Sequence, residues 1–268
     1  MKAWSIAILL ILFAACKNES ANKVPDALKK DEMPVPIQQL FTQLEKNSDS
    51  VGLRFRLIDA LDSLGAYKLA LGQMDSLIKK DSLNYAFWYR KAQLLENIHD
   101  TTGALKCYRY AIRVYPSPDA MLAAANLLAE KKDSTALLIC KQINEFRMGR
   151  EYTAHTSFIT GIYYARTGNP EKAMDAFNKC IINDFYYIEA YMEKGFLYYE
   201  SKKINEALKI FQTAVTVKKT YADGYYWIAK CNEALTNKTE AISNYQKSLV
   251  LDPGLKEASA ALKRLGVN

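Results

Sequence analysis

Residues 188–255 read IEAYMEKGFLYYESKKINEALKIFQTAVTVKKTY and then ADGYYWIAKCNEALTNKTEAISNYQKSLVLDPGL. Set one above the other, the two lines agree at an offset of 34 residues. Tyr191 falls on Tyr225, Tyr198 on Asn232, Ala207 on Ala241, Phe211 on Tyr245 and Ala214 on Ser248. A fixed period of this size is the signature of a repeat architecture, in which each unit is one supersecondary element.

The frame extends toward the N-terminus. In 154–187, Gly161 matches Gly195, Tyr164 matches Tyr198, Ala173 matches Ala207 and Phe177 matches Phe211. Residues 85–118 carry Trp88, Ala92, Leu95, Ala104, Tyr108, Ala111 and Pro116. Residues 51–84 keep Leu57, Leu61, Ala70, Met74 and Leu77. The poorest unit, 119–153, keeps an alanine-rich first half from Ala120 to Ala129, then Ala136, Cys140 and Ile143. Its inter-helix turn is shortened and its exit, through Arg147 to Glu151, is longer.

This pattern resembles the tetratricopeptide repeat over about three quarters of the chain. That family has a large residue, then Gly or Ala, then Tyr in its first helix, and Ala, an aromatic and Ala in its second. The resemblance implies an all-α fold, a right-handed solenoid of antiparallel helix pairs. It has six units, 51–84, 85–118, 119–153, 154–187, 188–221 and 222–255, between an N-terminal capping helix in 37–50 and a C-terminal one in 256–268. The physics agrees. Gly195 and Ala207 let two backbones approach, and the aromatics at 191, 198 and 211 fill the gaps around them. One helix pair cannot bury its own apolar face, so neighbours must stack. Thr167-Gly168-Asn169-Pro170 places a Gly near a helix end and Pro in the first turn of the next. Ile37, Leu40, Phe41 and Leu44 recur at the spacing of one helix face.

Composition fits this reading. Gly and Pro are few, 11 and 7 in 268 residues, against 18 Tyr, which favours helices over a turn-rich β-protein. The net charge of +7 is spread among acids without a basic block, which argues against nucleic acid as a partner.

Residues 1–15 read as a secretory signal: Lys2, an apolar stretch from Ala3 to Ala15 and small residues before a cut site. The run Leu12-Phe13-Ala14-Ala15-Cys16 looks like a bacterial lipobox, which implies that Cys16 is lipidated and anchors the mature chain. Phe13 departs from the usual Leu; the alternative is an ordinary secretory signal with a chance cysteine. Lys17 after Cys16 leans toward the outer membrane. Residues 16–36, polar and carrying Pro25, Pro34 and Pro36, read as a flexible tether.

Catalysis finds no motif. Cys107, Cys140, Cys180 and Cys231 form no CxxC pair, and Cys140 and Cys180 fall at packed second-helix places. Two separated histidines, His99 in a turn and His155 at the start of a first helix, cannot build a multi-histidine metal site. There is no GxSxG, GxGxxG or GxxxxGK[ST]. Asp59, Asp62 and Glu96 read as solvated or groove-lining. The expectation is a non-enzyme without metal or cofactor.

By the resemblance, ligands lie on the concave face at the second, fifth, ninth and twelfth places of each unit. The chaperone-tail members of the family use Lys and Asn at the fifth and ninth places; here only Lys230 fits, which argues against that ligand. Instead Phe158, Met192, Phe196, Tyr199 and Tyr226 form an apolar-aromatic strip. Two readings stay open for it: an exposed partner-binding strip, or packing between first helices. The function expected is an envelope scaffold that binds an extended peptide or helix of an unknown envelope protein. The alternative is a glycan or cell-wall binding lipoprotein.

Overall fold

The computed structural model describes residues 30–267. The signal at 1–15 and Cys16 lie outside the described residues. Within them the fold is all helical: fourteen α-helices and no strand. After a 3-10 turn, Lys30–Glu32, comes α1, Val35–Lys46. Six pairs follow: α2 Val51–Leu64 with α3 Tyr67–Lys80, α4 Tyr85–Asn97 with α5 Thr101–Val114, α6 Pro118–Glu130 with α7 Thr135–Glu145, α8 Arg150–Arg166 with α9 Pro170–Asn183, α10 Ile188–Glu200 with α11 Ile204–Val217, and α12 Ala222–Ala234 with α13 Lys238–Leu251. Helix α14, Lys256–Arg264, packs on α13. Each helix packs on its neighbours in sequence, as in a solenoid.

The small residues act where helices of a pair cross. A Cβ on Gly195 would stand 2.3 Å from the Phe211 ring, and one on Gly161 2.4 Å from that of Phe177. Ala92, Ala104, Ala207 and Ala241 are fully buried, and Tyr108, Phe177, Phe211 and Tyr245 fill the space between helices. The first helix of every pair ends on a left-handed residue: Gly65, His99, Lys132, Gly168, Lys202 and Thr236. The N–H after it returns to a carbonyl near the helix end, as Asp100 N to Leu95 O at 2.9 Å and Asn237 N to Asn232 O at 2.8 Å. That bond closes the helix and reverses the chain.

Three boundaries differ from the sequence reading. The last residues of the expected tether, 30–36, are structured: Met33 is buried, and Gln38 Nε2 donates to Met33 O at 2.8 Å. One apolar side chain and one amide fix a stretch whose composition reads as linker. In the third pair, Ala136 is the second residue of its helix, whereas Ala104 and Ala207 are the fourth of theirs. The connection expected to be short is not: residues 131–134 separate α6 from α7, against 98–100 between α4 and α5, and the missing residues come out of α7, which has 11 residues against 14 in α5 and α11. The long exit becomes an extra turn of helix rather than loop: α8 begins at Arg150, after Gly149 at φ 98°, and runs 17 residues.

All four cysteines among the described residues are buried and free. Burial pushes the thiols of Cys140, Cys180 and Cys231 up to about 12, so they behave as small hydrophobes. No helix among the described residues is long and apolar enough to cross a membrane.

Candidate functional site

The first helices, α2, α4, α6, α8, α10 and α12, lie side by side, and long side chains join several of them. On α4 the sixth residue, Arg90, reaches back to Asp59 at 2.7 Å and Asp62 at 2.8 Å on α2. Arg166, the last residue of α8, forks between Glu130 at the end of α6 (2.9 and 3.1 Å) and Glu193, sixth on α10 (3.1 Å to each oxygen). Burial holds the Glu193 carboxyl above the usual carboxylate range, against the pull of Arg166. The bridge therefore fixes spacing more than it adds stability.

At the junction of α10 and α12 the polar joint gives way to an aromatic one. Trp227, sixth on α12, has its ring 4.8 Å from Phe196 and 5.4 Å from Tyr199, both on α10. It stands 5.7 Å from Tyr226 and stacks on Phe211 at 5.7 Å. Tyr226 also leans on Tyr245, at 5.6 Å. Edge-on and offset ring pairs at these distances add roughly 0.5–1.5 kcal/mol each beyond the area they bury. Trp227, Phe196, Tyr199 and Tyr226 are all half-buried, so the cluster is held in place and still meets solvent. Burial raises the phenol groups of Tyr199 and Tyr226, which stay neutral donors at physiological pH.

A second feature lies one step along, between α6, α8 and the turn before α10. It is a cleft of about 220 Å³ lined by Leu122, Ala123, Asn126, His155, Phe158 and Tyr187. The Phe158 ring lies 4.9 Å from Tyr187 and 5.8 Å from Phe177. His155 Nδ1 is 3.1 Å from the Tyr187 hydroxyl. His155 stands in the second turn of α8 because of that helix's early start.

The five side chains expected to form one strip are therefore divided. Phe196, Tyr199 and Tyr226 come together; Phe158 lines the neighbouring cleft. Met192 is not on the surface: at 4% exposure it is core, clustered with Ile188, Tyr191 and Ile228. There α10 packs against α11 and its Met192 side chain joins the core with Ala207 and Phe211. Trp227, the centre of the cluster, stands at the sixth place, outside the four places read as groove. The signal for it was the sixth-place column, Arg90, Glu193 and Trp227, whose size and charge change from unit to unit. Among the described residues, no group of His, Cys, Asp and Glu is arranged to hold a metal ion.

Two family models described as "Tetratricopeptide repeat" match the chain, one over 89–136 and the other over 188–221 and 222–254. The DnaJ homolog subfamily C member 7 homolog of Dictyostelium discoideum is 22% identical over 236 residues, covering 85% of this chain. The chain spans only 40% of that relative's length. Among solved structures, a tetratricopeptide repeat protein from Parabacteroides merdae is similar with a TM-score of 0.70 at 18% identity, covering 85% of this chain and 90% of that one. PilW, described as a widely conserved type IV pilus biogenesis factor, is similar at 0.65 and 15% identity, covering 79% and 97%. Identities this low speak for the fold alone. The chain thus carries tetratricopeptide repeats, and its all-helical stack is a solenoid of that kind.

Proposed function

We propose that the protein is a non-catalytic scaffold that holds an extended peptide or helix of another envelope protein against the first helices α8 to α12. Tetratricopeptide-repeat proteins are protein-interaction scaffolds. The observation that carries the reading is the half-buried ring cluster of Phe196, Tyr199, Tyr226 and Trp227. Aromatic side chains fixed by their neighbours lose little entropy on binding and dominate interface energies. The adjacent Phe158 cleft offers a second anchor point. The place of action we propose is the bacterial envelope, with the chain lipid-anchored through Cys16 in the outer membrane. Leu12 to Cys16 and the absence of Asp at 17 support that.

The test is affinity capture. Residues 17–268, immobilised, should retain a discrete protein from an envelope extract and give no signal on a glycan array. Phe196→Ala with Tyr226→Ala should lower capture by at least about tenfold, the loss of one well-placed ring contact or more, with the circular dichroism of the helices unchanged. Retention by that double variant at the wild-type level would exclude the ring cluster. Sugar binding without protein capture would exclude the scaffold. For the anchor, Cys16→Ala should abolish incorporation of labelled fatty acid.

A further inference from the structure

Along α5, where it faces the turn after α6, runs a cleft of about 510 Å³, within the range of natural ligand pockets. Its wall is basic: Lys106, Arg109 and Arg113 from α5, and Lys131 from the turn before α7. No carboxylate lines it, and none of the four cations is in a salt bridge among the described residues. Asp133 does not line it; its carboxylate accepts from Thr135 N at 2.9 Å, and hydrogen bonding to Thr135 first, with Arg109 nearby, lowers its pKa. The remaining walls are Leu105, Tyr110 and the Thr102 hydroxyl, the last 3.5 Å from Lys131 Nζ. The Arg113 guanidinium lies over the Tyr110 ring at 5.1 Å, which holds it along the cleft.

This concentration of charge is not a property of the repeat. The places of Lys106, Arg109 and Arg113 hold Gly72, Asp75 and Lys79 on α3, and Asp175, Asn178 and Ile182 on α9. They hold Lys209, Gln212 and Thr216 on α11, and Ser243, Gln246 and Val250 on α13. Of these second helices only α5 carries three cations there. Four like charges converging on one recess repel one another and favour an anionic occupant.

We propose that this cleft binds an acidic peptide segment, independently of the ring cluster on the first helices. Length decides the class. Lys106 to Arg113 is seven residues of helix, a row of about 10 Å, which suits carboxylates spaced along a chain better than one free phosphate. The Leu105–Tyr110 floor takes an apolar side chain between the acids, which an inorganic anion would leave empty. A bilayer is flat and cannot enter a recess. Two arginines supply the forked donors that carboxylates accept.

The probe is a fluorescein-labelled acetyl-Glu-Glu-Leu-Glu-Glu-Leu peptide, titrated with the mature chain in about 50 mM salt, where screening is modest. Saturable one-to-one binding is expected, with none to the Gln counterpart. Arg109→Gln with Arg113→Gln, both exposed positions, should weaken it at least about tenfold. Lys209→Gln and Phe196→Ala should leave it unchanged, which separates this site from the ring cluster. The proposal is overturned by non-saturable binding or by equal affinity in the double variant. It is equally overturned if triphosphate, or vesicles with about 30% anionic lipid, bind more tightly than the peptide.

Discussion

Glu96 and Glu233 stand at the same place in two units, and each accepts a hydrogen bond from a tyrosine hydroxyl twelve residues on: Tyr108 at 2.5 Å, Tyr245 at 2.9 Å. Their acidities move apart. Burial pushes Glu96 above the usual carboxylate range, with only the Tyr108 bond opposing it. Glu233 is held below that range by the Arg264 guanidinium, which outweighs burial. The signs of their pH effects are therefore opposite. Glu96 holds its proton more tightly folded than unfolded, so its contribution is greatest in acid and fades as pH rises through the raised value. Glu233 contributes at neutral pH, and that is lost as pH falls through the lowered value. Glu96→Gln keeps an acceptor for Tyr108 and should stabilise the chain at pH 7.5 relative to wild type. The gain should shrink toward pH 4, read from urea midpoints. A variant less stable at pH 7.5 would mean that the charge itself is needed. Where the tyrosine is replaced by Phe177 or Phe211, the acid is gone too: Ala165 and Tyr199 stand in its place. The ring cluster thus begins where a buried polar pair has been given up.

At the scale of the element, the turns between paired helices repeat one geometry with unequal residues. Gly65 at φ 78° and Gly168 at φ 76° adopt it without strain, while Thr236 is forced to φ 63°. A β-branched residue in the left-handed region is disfavoured by about 1–2 kcal/mol. Thr236→Gly should raise the melting temperature by roughly 2–4 °C, about 1 kcal/mol for a chain of this size, followed by circular dichroism. An unchanged or lower value would show that the Thr236 side chain contributes more than its backbone costs. The turns also show what the sequence could tell. Gly168 and Pro170 announced one helix end and the next start in plain chemistry. The early start of α8 did not show, because Arg150 to Thr153 are as compatible with loop as with helix. The first turn of α8 is instead held by partners distant in sequence, Arg150 donating to Ile182 O and Tyr152 to Asp119. Of the two readings open for the strip, packing is the one that holds for Met192, which is core. A period of 34 fixes which helix face a residue is on, but not how tightly that face closes on the next unit.

For the whole molecule, the ends matter as much as the middle. The first and last of the described α-helices each cover an apolar face of the pair beside them. Helix α1 covers the first pair through Ile37 and Leu44. Helix α14 covers Tyr245 with Ala258, Ala261 and Leu262, and Arg264 Nη2 reaches back to Glu233 at 2.9 Å. Ending the chain after Asp252 should strip amide-exchange protection from α12 and α13 and leave α2 to α5 as they were, because stability in such arrays passes between neighbours. A uniform loss of protection would mean that the array melts as one body. The fold was legible because one 34-residue rhythm runs through most of the chain. The site was legible only in part, because the rhythm names places and not what fills them.

The side chains that join one first helix to the next also give the units an order. Excise 188–221 and the backbone would rejoin in register, since Ala222 would follow Tyr187 as Ile188 does now. The seam would not match. Arg166 would keep Glu130 and meet Trp227 where Glu193 had been, and Trp227 would look for Phe196 and find Ile162. Modules built on one helix-pair plan are thus keyed like pieces cut to one neighbour. Shuffling or duplicating them by recombination would preserve the architecture and still be selected against at the joints.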